Sequence, residues 1–429
     1  MQIKTRLLYL ARNSWFAVGL ATAIATNVSA QANKMPDWAG YTTETLTVSG
    51  AKIDGTGRIG GIAADTFGYI YVANQDNTVW RISPTGVSEV FAKGFYGSSG
   101  IVVLKDGSLL VGECGSDQIS HVSRTGKVKP FATEGLSCPV GMTRTQAGDI
   151  FAINFLGGDI VKIGPDGSTS VFAKHDKLEG GNGLTSDQAG NLYAVSLRNS
   201  SVLKITPEGD VSEIVELPGD VNGHVAYRAG MLFVTKLWEH LVIGVRLDGT
   251  YHVVSGDGTQ GWADGVGTDA QQSFPNGIWG IGDWLYVNNL RGGMLFGEDG
   301  TIQIRRITLP TDRQIILRAF KAGGLAEMKL AYEHLKENRN FTGATAIGRS
   351  RSIANRMFQM HQVEAAFALL DWVAEDYAAA QAFVNLGRAH TAHGSKDAAI
   401  ANFNRALELD PNNADTNRRL EGVKKFRVS

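Results

Sequence analysis

The stretch NGLTSDQAGNLYAVSLRNSSVLKITPEG, Asn182 to Gly209, holds the pattern from which the rest of the chain is read. An apolar strand opens at the Asn-Gly pair, a polar QAG turn follows, then come the strand LYAVS, a loop, the strand SVLKIT and a PEG turn. Alternating apolar positions bounded by Gly, Asp and Asn turn signals mark short antiparallel strands. The same order recurs along the chain. YIYVAN, LLVGE, IFAIN, LFVTK and LYVNN fill the slot of LYAVS, TVWRIS, QISHVS and DIVKIG fill that of SVLKIT, and last strands such as SEVFA and VKPFA complete the units. The glycines that open successive units, Gly61, Gly100, Gly141, Gly183, Gly223 and Gly277, stand 39, 41, 42, 40 and 54 residues apart. A four-stranded unit of this kind is apolar on both faces and cannot stand alone. Six of them stacked radially bury those faces and leave only short edges, which predicts an all-β six-bladed propeller over residues 40–309. Either TETLTVSG (Thr43–Gly50) or TIQIRRITL (Thr301–Leu309) supplies the last outer strand and closes the ring.

One slot of the repeat is broken. After the glycine stand Ile62, Ile101, Met142, Leu184 and Ile278, but VNGHVAY, Val221 to Tyr227, supplies His224. A buried imidazole without a hydrogen-bond partner costs about 1 to 3 kcal/mol. The residue therefore points to a specific partner: a ligand, a water or a neighbouring backbone carbonyl.

From Thr311 the period changes. LAEMKLAYEHLKEN, VEAAFALLDWVAED and KDAAIANFNRALELDP carry apolar residues at three-to-four spacing, the mark of amphipathic helices, so residues 311–429 form a separate all-α domain of about three helical hairpins. Phe383, Leu386, Gly387, Gly394, Ala399, Phe403, Ala406 and Pro411 stand at the offsets of a tetratricopeptide repeat, and Ala366, Leu370 and Val373 fit the upstream hairpin more loosely.

The 429 residues suit two domains. Residues 1–30 read as a signal peptide: Lys4, Arg6 and Arg12 precede an apolar run from Trp15 to Thr26, and Val28-Ser29-Ala30 forms a small-x-small cleavage site. The run is shorter than the roughly 20 residues a membrane span needs. Export to the periplasm or beyond is expected, with no span after cleavage. A net charge of -1 gives no electrostatic reason to expect nucleic acid or an anionic membrane as partner. Two cysteines, Cys114 and Cys138, invite one disulfide in an oxidising compartment, with two buried free thiols as the alternative. Blade topology sets Cys114, at the end of a second strand, beside Cys138, just ahead of the next inner strand.

The same topology gathers inner-strand starts and second-strand ends on one face, called here the leading face. Its inner ring is Gly60, Ser99, Val140, Asn182, Asn222 and Asn276, and its second ring is Asn74, Glu113, Asn154, Ser196, Lys236 and Asn289. Loops add His175, Glu179, Arg198, Trp238, Glu239, His240, Arg291 and the inserted segment Gly256–Phe274. Converging amides, a carboxylate and a lysine suggest a ligand site, in which Asn74, Asn154, Lys236, Arg198, Trp238, Asn289 and Arg291 contact a substrate. The Asn residues also suit Asn-Gly turns, which need no ligand. His224 or His240 is the candidate base, with Glu239 as a possible orienting carboxylate. Other matches carry no chemistry: Gly256-x-Gly258-x-x-Gly261 is followed by no helix, and Ser201-x-x-Lys204 lies mid-strand.

The repeats resemble NHL-repeat propellers, most clearly in SGDGTQGWADGVGTDAQQSFPNGIWG, Ser255 to Gly280. The ring is also similar to the gluconolactonase and regucalcin-like superfamily of six-bladed propellers. That resemblance implies a divalent cation, calcium, in the channel, which polarises a lactone or ester carbonyl for attack by water. Asn182 matches one of that superfamily's ligand positions. Asn222 stands where it has Asp and Gly60 where it has Glu, so the implied metal set here is Asn182, Asn222 and Glu113 with Asn276 near. DGSLLVGE, Asp106 to Glu113, resembles the blades of streptogramin lyases, which implies a His-dependent lyase with magnesium. The helical tail resembles the tetratricopeptide appendage of exported bacterial hydrolases. The expectation is an exported, metal-assisted lactone or ester hydrolase. Its rivals are a non-catalytic propeller that binds a ligand or, through its helices, a protein partner, and the lyase.

Overall fold

The structure, a computed structural model, describes residues 40–53, 59–75, 77–219, 221–291, 301–339 and 341–425, the side chains of residues 291, 337 and 338 excepted. The expected signal peptide, residues 1–30, lies outside the described residues. The chain divides into two compact units between Leu309 and Pro310.

In the first unit the described strands form six sheets in which inner, second, third and outer strands follow one another antiparallel, the six blades of a propeller. Inner strands are Ile59–Ala64, Ser98–Val103, Pro139–Arg144, Gly181–Ser186, Val225–Arg228 and Pro275–Ile281. Apolar residues from adjacent blades meet in six clusters, one at each blade boundary. Burial of such side chains contributes roughly 1.5 to 3 kcal/mol each, so the ring is held by its blade boundaries more than by any single blade.

The repeat glycines are explained by distance. A Cβ on Gly61 would sit 2.9 Å from the Ser99 carbonyl oxygen, one on Gly141 2.7 Å from the Asn182 oxygen, one on Gly183 2.7 Å from the Val225 nitrogen, and one on Gly277 2.9 Å from the Ile62 nitrogen. In each case the obstacle is the backbone of the next blade. Only a residue without a side chain lets inner strands approach this closely around the axis.

Both candidate closing segments are used. Thr301–Thr308 is the third strand of blade six, and Thr42–Thr45 pairs with it antiparallel as the outer strand, Thr42 opposite Thr308 and Thr45 opposite Arg305. Ser49–Gly50 then runs parallel to the outer strand of blade one, beside Val87 and Ser88. The N-terminal segment thus stitches the last blade to the first. Cys114 and Cys138 form a disulfide that ties blade two to blade three.

The second unit consists of six described helices, Asp312–Asn338, Gly343–Gln359, Val363–Tyr377, Ala380–Ala392, Lys396–Leu409 and Ala414–Lys425. The first begins at a capping box of Thr311 and Gln314, earlier than the apolar spacing alone suggests, and leaves helical geometry at Gly323 and Gly324. The tetratricopeptide-like spacing has a steric counterpart: Ala399, Phe403 and Ala406 are buried, and a Cβ on Gly387 would lie 2.7 Å from the Phe403 ring.

Gly141→Ala should destabilise the propeller by about 1 to 3 kcal/mol, as overpacking does, read as a lower midpoint in urea unfolding. Replacing both cysteines by serine should cost about 3 kcal/mol on a loop-entropy estimate for the 24-residue separation, read in the same assay.

Candidate functional site in the propeller channel

Strand register brings the two predicted rings to one face: Ser98 lies opposite Glu113, Pro139 opposite Asn154, Gly181 opposite Ser196 and Pro275 opposite Asn289. The second-ring side chains, however, are turned into their blades and fully buried. Glu113 Oε2 accepts a hydrogen bond from Tyr96 N at 2.6 Å, Asn154 Oδ1 from Ser137 N at 3.0 Å and Asn289 Oδ1 from Ser273 N at 2.8 Å, while Ser196 Oγ donates to Glu179 O at 2.7 Å. Each partner stands two places ahead of the inner strand of the same blade. This ring latches incoming loops. Asn74 Oδ1 accepts from Thr78 Oγ1, and Lys236 Nζ donates to Asn222 Oδ1 at 3.1 Å.

The inner-ring amides join blades. Asn182 Nδ2 donates to Gly223 O at 3.1 Å, Asn222 Nδ2 to Ser201 O at 3.2 Å, and Asn276 Nδ2 to Ile59 O at 2.8 Å and Gly60 O at 3.2 Å. Of the four predicted metal ligands, Glu113 receives four donors, from Tyr96, Ser116, Gln118 and Ser120, and Asn222 receives the Lys236 ammonium. Asn182 and Asn276 keep an Oδ1 that accepts no hydrogen bond among the described residues. No group of three His, Cys, Asp or Glu side chains suited to a metal ion occurs among the described residues.

The loop residues are not brought together as a catalytic set. His240 Nδ1 accepts from Phe274 N at 3.2 Å, and its ring meets Phe274 edge-on at 4.7 Å. Burial pushes its pKa down to about 4, partly opposed by Asp257. Glu239 lies 3.9 Å from the Lys236 ammonium, and neither His224 nor His240 bonds to it among the described residues. Arg198 pairs with Glu179, His175 caps a short turn through Lys177 N, and Trp238 packs edge-on against Phe274. The side chain of Arg291 lies outside the described residues.

His224 is placed differently. Its slot, with Ile62, Ile101, Met142, Leu184 and Ile278, forms a ring around a cavity of about 180 Å³ in the axial channel. The backbone there is tightly held: Thr235 Oγ1 accepts from His224 N at 2.8 Å and donates to Asn276 O at 2.6 Å. The imidazole Nε2 is buried with no hydrogen-bond partner among the described residues. Burial alone lowers its pKa to about 4, so it is neutral at pH 7.

Beyond this ring the cavity runs toward the ends of the inner strands, the trailing face. There it is lined by Thr143, Arg144, Thr185, Ser186, Tyr227, Trp279 and Gly280, all half-buried except the buried Thr143. Sequence reading passed over these residues. The available signal was the change from AAD and VVL to TRT, TSD, VAY and WGI just after the slot.

A solved structure shares this fold. It is a Bacteroides thetaiotaomicron protein of unknown function, 15% identical, with a TM-score of 0.52 over 62% of this chain and 76% of that one. Similarity also extends to a Staphylococcus aureus virginiamycin B lyase (15% identity, TM-score 0.45, 63% of this chain and 99% of that one). An auxiliary nutrient binding protein from Bacteroides ovatus is similar as well (13% identity, TM-score 0.49, 63% of this chain and 77% of that one). No protein-family model matches the chain, and comparison with curated proteins finds no match. At these identities the likeness is one of fold.

A histidine whose pKa is lowered on folding stabilises the native state above its unfolded pKa, and that contribution is lost as pH falls. For His224 the window is pH 6.5 down to about 4, worth on the order of 3 kcal/mol. His224→Leu should remove this part of the acid lability and be at least as stable as the native protein at pH 7, measured by urea unfolding across that range.

Proposed function

We propose that this protein is an exported, non-catalytic binding protein that holds a small molecule in its axial channel, with His224 as polar anchor, while its helical unit docks a protein partner. The observation that carries this reading is an imidazole, His224, lining a cavity whose other five equivalent slots are apolar, with an Nε2 that is buried and has no hydrogen-bond partner among the described residues. An aliphatic residue would be more stable there. A residue that breaks a local rule at a cost in stability marks a functional position, and a ligand hydroxyl or amide bonded to the imidazole would offset that cost.

Binding is favoured over general-base chemistry on two grounds. An imidazole with a pKa near 4 is a weak base at neutral pH, and no carboxylate lines the cavity among the described residues to orient it. The calcium-assisted hydrolase would draw on Asn182, Asn222, Glu113 and Asn276. A hard divalent cation seeks several free, preferably anionic, oxygens, whereas an ammonium sits on Asn222 and four donors occupy Glu113. This set does not fit the ion, and we assign these residues to holding blades and loops. The disulfide suits an oxidising compartment outside the cytosol, and among the described residues no helix is long and apolar enough to cross a membrane.

Benzamide, a neutral probe of the cavity's size, should bind one-to-one by calorimetry, and His224→Leu should abolish binding while retaining the fold by circular dichroism. Unchanged binding in that variant, or no binding to the native protein, would overturn the reading. Treatment with EDTA should leave both the melting temperature and benzamide binding unchanged.

A further inference from the structure

The channel cavity carries a charge that nothing beside it neutralises. Among its described lining residues Arg144 holds the one formal charge, since no Asp or Glu lines the cavity and His224 is neutral. The Arg144 side chain makes no ion pair, hydrogen bond or ring contact with the described residues, although it is half-buried. Nearby acids are committed elsewhere: Asp149 pairs with Lys162, and Asp187 accepts from Ala189 N, Asn191 and Tyr193 OH. Hydroxyl groups lie beside the Arg144 main chain, with Ser186 Oγ 3.4 Å from both the Arg144 carbonyl oxygen and Thr143 Oγ1. The planar fork of a guanidinium with no protein partner fits a carboxylate in two parallel bonds.

We infer that the ligand is a small organic carboxylate entering from the trailing face, its carboxylate held by Arg144 with Ser186, its apolar body within the ring of Ile62, Met142 and Leu184, and a polar atom at His224. This rests on the channel-binding reading above. The volume of about 180 Å³ compares with the roughly 150 Å³ cavity that holds benzene in an engineered protein, so the body is the size of one aromatic ring or a short branched chain. The placement also departs from the sequence expectation, since Arg144 lies on the face opposite the amide rings.

The test compares benzoate with benzamide, which differ in charge and hardly in shape, by calorimetry on the mature full-length protein. Benzoate should bind at least about tenfold more tightly, as a charge-assisted bond at a partly buried site allows. Arg144→Gln should reduce benzoate to the affinity of benzamide and leave benzamide unaffected. Should that variant fail to fold, the salt dependence of the native protein decides: benzoate affinity should fall between 20 mM and 500 mM sodium chloride, roughly the range over which screening sets in, and benzamide affinity should not. Benzamide binding with no preference for benzoate, or a preference that survives Arg144→Gln, overturns the carboxylate assignment and leaves the channel reading standing. Absence of binding by both probes overturns the channel reading itself.

Discussion

The close approach of six inner strands around one axis is the constraint on which the rest of this molecule depends. At five of the six opening glycines the place a Cβ would occupy is taken first by the next blade's backbone, and at Gly223 by the Thr235 side chain of its own blade. That approach fixes what the flanking positions do. Residues just before the glycine reach across to a neighbour's carbonyl, as Asn182 and Asn276 do, and residues just after it line the channel. One steric requirement, repeated six times, therefore produces both the straps that hold the ring and the wall of its cavity.

Within that wall a single substitution changes the chemistry. Five slots give an apolar collar, and the sixth gives an imidazole. The imidazole stays neutral because burial opposes protonation, so the collar does not repel an anion and does not add to its attraction. Attraction is left to Arg144 at the wider end. The division suits a molecule with one charged end and one mainly apolar end, and selectivity follows from the spacing between the two anchors.

Much of the fold was legible because glycines and turns declare themselves in the sequence. The spacing of Gly61 through Gly277 and the PTG, RTG, PDG and PEG turns predicted six blades. The final pairing was not legible, since Thr43–Gly50 and Thr301–Leu309 carry equally strand-like patterns and both turned out to be used. The candidate site was legible only at His224, where a polar residue interrupts an apolar series. Glu113, Asn154 and Asn289 looked like converging ligands because their partners are main-chain amides, and a sequence does not display which backbone groups a side chain will meet. Arg144 was overlooked for a related reason: an arginine late in a strand ordinarily points to solvent, and only the assembled channel shows that this one has no acid beside it.

The stitch made by the N-terminal segment sets a timetable. Glu44 bonds to Arg306, 262 positions later, and bringing such distant segments together costs about 5 kcal/mol of chain entropy. Both partners of the first strand, Gly265–Val266 and Thr301–Thr308, come from the far end of the propeller, so the seam closes only when that end is present. The seam between the final and first blades therefore joins the two ends of the ring, and removal of the N-terminal segment would leave the last blade without its outer strand.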